Sequence, residues 1–468
     1  MVQVYGRAMC ATITSKIENE IVSLPTKIEY KDLPSSTKDR ARRLLKDQIA
    51  VQIGTSDLPW SRNINRYGAE QERAGTSTIA ADGRKVDAAT AAFVNASYGH
   101  GFEYDDAHAD SHSHPASIVV SASIAIGEAQ EATIEEVLTA MITGYEVYTR
   151  IGTMAAPELL TTGWHPHPVL GPFGAAAATA SLWNFDEQQT AHALAIAASH
   201  ASGTTEYSST GGSVKRVHSG MGSRGGIEAA RLAKHGVTGP RKFLTGNKGF
   251  FSTFVDKDGF SAADVGDLTS FEIDTAWIKP YCTCGGTHGY IDAVKAIDPD
   301  PANIDKIVAR LQPETDSIVG TQNENAYKPT DIIEVQYSLP FQIALAAHGF
   351  GNGYQAHRRI VDGELIDNKD LLETVNKVEM VVDDELDTRN SSAVADMEIE
   401  FGDNSEHQFI EHSKGRAENP LTEEEFRAKI DDLTVPVLGE ENAEQLAMAL
   451  DSFSLQDSVS ELMELTYI

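Results

Sequence analysis

The sequence contains little cysteine and no long apolar run. Its three cysteines, Cys10, Cys282 and Cys284, are too few and too unevenly placed for a disulfide framework. No apolar stretch reaches the roughly 18 residues that a membrane span requires. Residues 1–15 lack the continuous apolar core and the small-residue cleavage site of a secretory signal. We therefore expect a cytoplasmic protein with no membrane partner.

Basic residues are also scarce, with 38 against 69 acidic ones, which gives a net charge of −31. Nucleic-acid phosphates would be repelled by this charge, and no basic cluster offsets it. The acidity fits ordinary solubility and a salt-rich cytoplasm equally well. With 41% hydrophobic residues and interspersed charge, the 468-residue chain is expected to be globular, with two or three domains at about 150 residues each.

The hydrophobic pattern divides the chain into a helical part and a mixed part. Helix signals dominate up to about residue 260, including a capping box formed by Thr133 and Glu136. Strand patterns then follow over Ile304–Leu311, Val375–Val382 and Val394–Phe401, with helices between them. From Leu421 the pattern is helical again, over Glu423–Ile430 and Glu441–Ser452. We predict a mainly α fold with three segments, namely a large helical domain over 15–268, an α+β domain over 269–415 and a return to the helical domain over 416–468.

The densest polar cluster runs from Gly99 to Pro115, immediately before a predicted helix. Three interpretations of it remain open. Its histidines could perform acid–base chemistry near neutral pH. They could instead bind a metal through His108, His112 and His114 with Asp105, Asp106 or Asp110. The third interpretation is a polar surface loop that caps the flanking helices.

Two further segments combine histidines or cations with glycine and proline. His165 and His167 lie in Gly163–Pro168, which predicts a rigid loop of the kind that meets substrates, although either ring could be structural. Lys215, Arg216 and His218 lie between glycines, on backbone expected to be flexible or closely approached. Such cations suit carboxylates or phosphates, and a solvated turn is the alternative.

A fourth segment, Ile278–His288, precedes another predicted helix. Lys279 could bind a carboxylate, and Cys284 is a possible nucleophile. Cys282, Cys284 and His288 resemble half a zinc site, but no second cysteine pair completes it. The Gly-x-Ser-x-Gly, dinucleotide-binding, P-loop and kinase signatures are missing. If the four segments converge, they form a pocket of imidazoles and cations that suits a small polycarboxylate.

Taken together, these segments resemble the MmgE/PrpD family over roughly residues 15–460. The shared motifs are short and keep their order and spacing: Gly101–Asp106, His114-Pro115, Gly163–His165, Lys215–Gly220 and Lys279–Tyr281. The resemblance implies a helical domain built from both ends of the chain, an α+β lid and a homodimer. It also implies a metal-free site in the cleft between the helical domain and the lid, with no cofactor.

The resemblance also implies roles for individual residues. His114, His165, Lys215 and Lys279 match active-site positions of the cis-aconitate decarboxylase branch, where histidines exchange protons with carbon and lysines hold carboxylates. Glu103 matches an acidic position at which other members carry Asp. Three positions depart from the pattern: Cys284 stands where some decarboxylases have His, Phe341 replaces a common Tyr, and Ala107 replaces a hydroxyl-bearing residue.

We therefore expect a cofactor-independent lyase that acts on cis-aconitate or a close di- or tricarboxylate analogue. His114 is the expected acid or base, His165 assists it, and Glu103 orients an imidazole. The expected substrate-binding residues are Lys215, Arg216, Lys279, His218, Cys284, His288 and Asp105. The alternatives are a 2-methylcitrate dehydratase-like hydro-lyase, an iminodisuccinate epimerase-like isomerase, a metal-dependent hydrolase and a non-catalytic carboxylate-binding protein.

Overall fold

The computed structural model describes residues 15–71, 74–207, 211–255, 257, 259–386 and 394–468, so Cys10 lies outside the described residues. Most of these residues are helical. The α-helices are α1 (Lys16–Lys27), α2 (Ser35–Thr55), α3 (Pro59–Glu70), α4 (Ala88–Gly99), α5 (Ala116–Ala129), α6 (Ile134–Ala155), α7 (Glu158–Thr161), α8 (Pro166–Leu182), α9 (Glu187–Ala197), α10 (Lys215–Lys234), α11 (His288–Ile297), α12 (Pro313–Val319), α13 (Ile332–Gln336), α14 (Leu339–Ala347), α15 (Tyr354–Val361), α16 (Lys369–Val375), α17 (Glu423–Ser452) and α18 (Val459–Met463).

The strands are few and short. They are β1 (Ser77–Thr78), β2 (Lys85–Val86), β3 (Asp106–Ala107), β4 (Trp277–Ile278), β5 (Lys306–Leu311), β6 (Val378–Val382), β7 (Ala395–Phe401) and β8 (Asn404–Ile410). The largest sheet has the order β6-β5-β7-β8, with β5 and β6 parallel and the other pairs antiparallel. The predicted fold class, mainly α with a smaller α+β part, is confirmed.

Helix starts follow the local sequence. At α6, Thr133 and Glu136 form the predicted capping box, in which each side chain accepts the other residue's backbone N–H. At α4, the Asp87 carboxylate accepts the Ala89 N–H. Because α4 and α5 are buried nearly all round, as their small and apolar residues predict, they pack inside the bundle and not on its surface.

Glycines bring α8 and α10 into backbone contact. A Cβ atom added to Gly171 would lie 3.1 Å from the Cα of Gly222, and one added to Gly226 would lie 2.5 Å from the carbonyl oxygen of Pro172. Side chains at these positions would push the helices apart. This close packing fixes the beginnings of the two helices relative to each other, which matters for the site described below.

The largest apolar core joins both ends of the chain. Buried residues from Ile17 to Cys282 share this core with Leu421–Met463, and α17 packs against α2. We call this part the helical region. Residues 284–410, the sheet region, form two smaller cores of their own around Tyr290 and Phe341. The domain boundaries at 268 and 415 stay a prediction.

Some local expectations are wrong. The alternative of a solvated turn around Lys215 and Arg216 is wrong, because both side chains are buried and Lys215 is already the first residue of α10. Likewise, Pro166–Pro168 form the first turn of α8, since proline suits that position. The predicted strand over Val375–Val382 begins only at Val378, because an Asn368 cap starts α16 ahead of it. Among the described residues, no helix combines the length and apolar character that a membrane span needs.

Candidate active site

Three long helices begin next to one cluster of imidazoles. His114 stands two residues before α5, His165 caps α8, and Lys215 begins α10. The centre of the cluster is His167, whose ring centroid lies 4.0 Å from that of His100, 4.6 Å from His165 and 4.9 Å from His114. The N-terminal ends of helices carry positive potential and favour anions. The site therefore combines imidazoles with an environment suited to a negatively charged ligand.

Two hydrogen bonds orient the outer imidazoles. The Nδ1 atoms of His165 and His218 lie 2.8 Å apart, so the N–H of one ring donates a hydrogen bond to the nitrogen of the other. His114 Nδ1 donates to the backbone carbonyl of Asp106, which leaves Nε2 of the neutral ring as a proton acceptor. The neighbouring carboxyl group of Asp105 lies 2.8 Å from His100 Nδ1 and 3.6 Å from His114 Nδ1.

Several polar atoms at the centre have no hydrogen-bond partner among the described residues. They are both ring nitrogens of His167, Nε2 of His100 and Oδ1 of Asp105, and all are buried. Unpaired buried polar atoms are costly and uncommon, and they mark places where a ligand or water completes the hydrogen bonding. Two sets of three side chains here could also hold a metal ion, His100–His165–His167 and Asp105–His114–His167.

Burial governs the protonation of these groups. Desolvation lowers the pKa values of His100, His114, His165 and His167 well below the ordinary value, and a nearby lysine lowers those of His100, His114 and His167 further. The pKa of His218 is lowered to about 4 for the same reasons. Burial raises the pKa of Asp105 well above that of a free aspartate. The imidazoles are consequently neutral at pH 7 and can accept protons.

Two lysines share one carboxylate beside the imidazoles. Glu103 forms an ion pair with Lys215, and its Oε2 lies 3.3 Å from Nζ of Lys279. Lys215 Nζ also donates to the hydroxyl of Tyr337 at 2.8 Å. Burial, Lys279 and Arg216 lower the pKa of Lys215 well below its usual value. The charge on Lys215 therefore depends on an anion close to it.

Local structure explains the placement of Lys279 and Glu103. The register of β3 with β4 pairs Asp106 with Ile278, so Lys279 follows directly beside the Glu103–Asp106 segment. Glu103 itself has a positive φ of 56°, a strained conformation for a residue with a Cβ atom. The 99–115 segment is thus bent so that the carboxylate of Glu103 contacts both Lys215 and Lys279.

The remaining predicted site residues lie around this centre or outside it. Arg216 donates to the carbonyl of Gly101 and stacks on the Trp60 ring at 3.8 Å, so its guanidinium holds the 99–115 segment in place. Cys284 is half-buried, and its backbone N–H donates to the Gln336 carbonyl at 3.0 Å, next to Tyr337. His288 is fully buried between Trp277 and Tyr281, with Nε2 3.3 Å from the Thr283 carbonyl, so it is not part of the imidazole cluster.

The metal set predicted from the 99–115 segment does not come together. His108 Nδ1 pairs with Ser111 Oγ at 2.8 Å and its Nε2 lies 3.4 Å from Glu272, whereas His112 lies 3.6 Å from Glu314. Only His114 and Asp105 of that set reach the cluster, where His167 completes a different triplet.

Sequence reasoning assigned no role to His100, Tyr207 and Tyr337, which lie around this centre, and it left His167 as either a substrate-facing or a structural ring. His100 and His167 lie inside segments that the histidine density already singled out, so their presence could have been anticipated. Tyr207 stacks edge-on against His165, with ring centroids 5.3 Å apart. Tyr207 stands in no motif and Tyr337 precedes the motif position Phe341 by four residues, so only the tertiary structure brings the two tyrosines to this centre.

Comparisons with known proteins identify relatives of this chain. The MmgE/PrpD N-terminal domain model matches residues 19–263, and the C-terminal domain model matches residues 281–453. The chain is 25% identical to cis-aconitate decarboxylase-like protein oryM of Aspergillus oryzae, over 97% of this chain and 98% of that protein. It is 29% identical to cis-aconitate decarboxylase of Aspergillus terreus over 71% of each chain. The mouse cis-aconitate decarboxylase is 26% identical over 58% of this chain and 59% of its own length. The protein belongs to the MmgE/PrpD family.

Proposed function

We propose that this protein is a cofactor-independent lyase that removes CO2 from cis-aconitate or a closely related tricarboxylate. The observation that carries the proposal is the convergence of His114, His165, Lys215 and Lys279 around one buried centre, although they are separated by up to 165 residues of sequence. The names of the relatives support decarboxylation over the other reactions of the family.

Carboxylate binding would use the two lysines. Glu103 forms ion pairs with both Lys215 and Lys279, and its single negative charge is shared between them. A substrate carboxylate would compete with Glu103 for these ammonium groups and gain charge-assisted hydrogen bonds from them. The N-terminal ends of α5, α8 and α10 add positive potential for the remaining carboxylates.

The chemical step needs one proton at carbon. Cleavage of the C–C bond releases CO2, and the electron pair left behind is delocalised through the adjacent double bond. A proton then bonds to carbon, so the reaction consumes one proton for each CO2 released. The neutral imidazoles must first acquire that proton, and a bound trianion favours this by raising their pKa values. We assign the transfer to His114, assisted by the His165–His218 pair.

The test is incubation of the purified protein with cis-aconitate, 2-methylcitrate or iminodisuccinate, with the products followed by NMR. We expect CO2 loss from cis-aconitate. Water loss from 2-methylcitrate alone would favour a dehydratase, and change in iminodisuccinate alone would favour an epimerase. If all three stay unchanged while one binds, the protein is a carboxylate-binding family member and the lyase proposal is wrong.

A metal-dependent hydrolase is the second candidate, because two sets of three donors lie within 4.8 Å of one another. Elemental analysis of the purified protein, together with activity before and after chelation, separates the two candidates. Full decarboxylase activity after chelation supports the lyase proposal, and activity that chelation abolishes and added metal restores contradicts it.

A further inference from the structure

The sheet region contributes one hydroxyl group to the site. Tyr337 lies between α13 and α14, and its hydroxyl accepts a hydrogen bond from Lys215 Nζ at 2.8 Å. The ammonium group also lies 5.2 Å from the centroid of the Tyr337 ring. Lys215 is thus held between Glu103 of the helical region and Tyr337 of the sheet region.

This hydroxyl is not at the position where the family pattern places a tyrosine. That position is Phe341, which is fully buried in the small apolar core with Val335, Leu345 and Ile360. Because the ring of Phe341 packs into the interior of the sheet region, a hydroxyl there would be buried among apolar side chains. Tyr337, four residues earlier in the sequence and in the turn before α14, is the tyrosine that reaches Lys215.

The neighbours of Tyr337 fix its position. The side-chain amide of Gln336 donates to the Phe102 carbonyl at 2.8 Å and to the Cys282 carbonyl at 3.0 Å. Asn323 donates to the Tyr337 carbonyl at 3.0 Å. The backbone on which the phenol stands is therefore tied both to the Glu103 segment and to the Lys279 segment.

The hydrogen-bond directions leave the phenol with a free donor. Since an ammonium group can only donate, the Tyr337 oxygen accepts from Lys215, and its own hydrogen has no acceptor among the described residues. Burial raises the pKa of Tyr337 well above its usual value, so the group keeps its hydrogen at neutral pH. A carboxylate bound to Lys215 would supply the missing acceptor.

We propose that Tyr337 is a substrate-binding residue that donates its phenolic hydrogen to the carboxylate held by Lys215, in place of the hydroxyl that Phe341 lacks. The inference rests on the proposed function, because it assumes a carboxylate ligand. It makes the sheet region a direct participant in substrate recognition.

Tyr337→Phe tests the inference, because it removes the hydroxyl and keeps the ring. We expect kcat/KM for cis-aconitate to fall about 10- to 100-fold, mainly through KM, as for a lost hydrogen bond to a charged group. The matched control is Tyr327→Phe, since the Tyr327 hydroxyl donates to the Val378 carbonyl inside the sheet region. The control should stay within about twofold of the parent protein. Equal kinetics in both variants would contradict the proposal.

A binding measurement separates this inference from the proposed function. Tricarballylate, a saturated tricarboxylate without a double bond or hydroxyl group, is titrated calorimetrically into the parent protein and both variants. Affinity lost only in Tyr337→Phe supports the inference even if no substrate is turned over. Turnover in the parent with unchanged affinity and kinetics in Tyr337→Phe overturns the inference alone. Absence of both binding and turnover in the parent overturns both proposals.

The position of Phe341 gives a second check. Adding Phe341→Tyr to Tyr337→Phe restores a tyrosine to the family position. We expect no recovery of tricarballylate affinity, because that side chain is buried away from Lys215. Recovery to within about threefold of the parent protein would show that residue 341 can supply the hydroxyl, and it would contradict the assignment of Tyr337.

Discussion

The helical region and the sheet region build their halves of the site in different ways. In the helical region, His114, His165 and Lys215 stand at the beginnings of helices of 14, 17 and 20 residues. In the sheet region, Tyr337 follows a helix of only five residues, and Cys284 precedes a 3-10 turn of three. Long packed helices fix side chains at their ends more firmly than short turns do.

This difference separates two tasks. The groups proposed to transfer protons lie where the backbone is fixed by the main core, as accurate geometry requires. Two of the three departures from the family pattern, Cys284 and Phe341, lie in the sheet region. We infer that the helical region carries the reaction and that the sheet region adjusts which carboxylate is accepted. Substitutions of single residues test this assignment of the reaction to one region and of substrate selection to the other.

The largest effect is expected for His114→Ala. Removal of the proposed proton donor should lower kcat by about 10²- to 10⁴-fold, the usual contribution of general acid–base catalysis. The free energy of unfolding should change little, because the ring is partly exposed to the site. The measurements are steady-state kinetics and urea unfolding. His112→Asn is the control in the same segment, where Asn suits the φ of 48°. Normal turnover in His114→Ala would remove this residue from the mechanism.

The next effect concerns the C-terminal helix α17. Lys429 is buried, pairs with Asp47 at 2.6 Å and donates to the Tyr104 carbonyl at 2.9 Å, next to Glu103. Lys429→Met leaves Asp47 buried without a counter-charge, so the free energy of unfolding should fall by about 3–5 kcal/mol in urea denaturation.

A matched control exists on the same pair of helices. Lys46 of α2 pairs with the exposed Asp451 of α17, and Lys46→Met should cost less than about 1 kcal/mol. Adding Asp47→Asn to Lys429→Met should recover part of the loss, since the uncompensated charge is removed. Equal costs at Lys429 and Lys46 would show that α17 does not support the site segment in this way.

Lys215→Ala should have an intermediate effect. Loss of a charge-assisted contact to substrate should raise KM or lower kcat, with kcat/KM reduced about 10- to 100-fold. Lys234→Ala, at the exposed far end of the same helix, is the control. Kinetics of Lys215→Ala that match those of the control would remove Lys215 from the site.

The sequence predicted the helical half of the site better than the sheet half. The proline after His114 marked the start of α5 correctly, whereas the prolines after His165 were interpreted as a rigid loop although they begin α8. The return of α17 to the first core was also predicted, from the renewed helical pattern after Leu421. The role of each site residue, in contrast, came from the family resemblance and stays a prediction.

Other features depend on distant contacts and had no local signal. The order β6-β5-β7-β8 depends on pairings across the chain, including the parallel pair of β5 with β6. Tyr337 reaches Lys215 across 122 residues. His288, which follows Lys279 closely in the sequence, was expected to bind substrate, yet the helix that begins with it turns the ring into the space between Trp277 and Tyr281. Spacing in the sequence does not determine which side of a turn a ring occupies.

The smallest effect tests the imidazole cluster through pH. Because burial lowers the pKa of His167 in the folded state, the unfolded chain binds more protons at this residue below about pH 6.5. This contribution to stability is therefore complete above pH 6.5 and is lost as the pH falls. Asp106 acts in the opposite direction, since its pKa is raised to about 7 and the folded state keeps its proton.

His167→Gln removes the pH-dependent contribution of His167 to stability and leaves that of Asp106. The substitution breaks no hydrogen bond to the described residues. Between pH 7 and pH 5, the variant should lose less free energy of unfolding than the parent protein, by up to about 2 kcal/mol. Urea unfolding at both pH values measures the difference, and equal losses would mean that the ring of His167 is charged inside the helical region, contrary to the neutral state that its burial assigns to it.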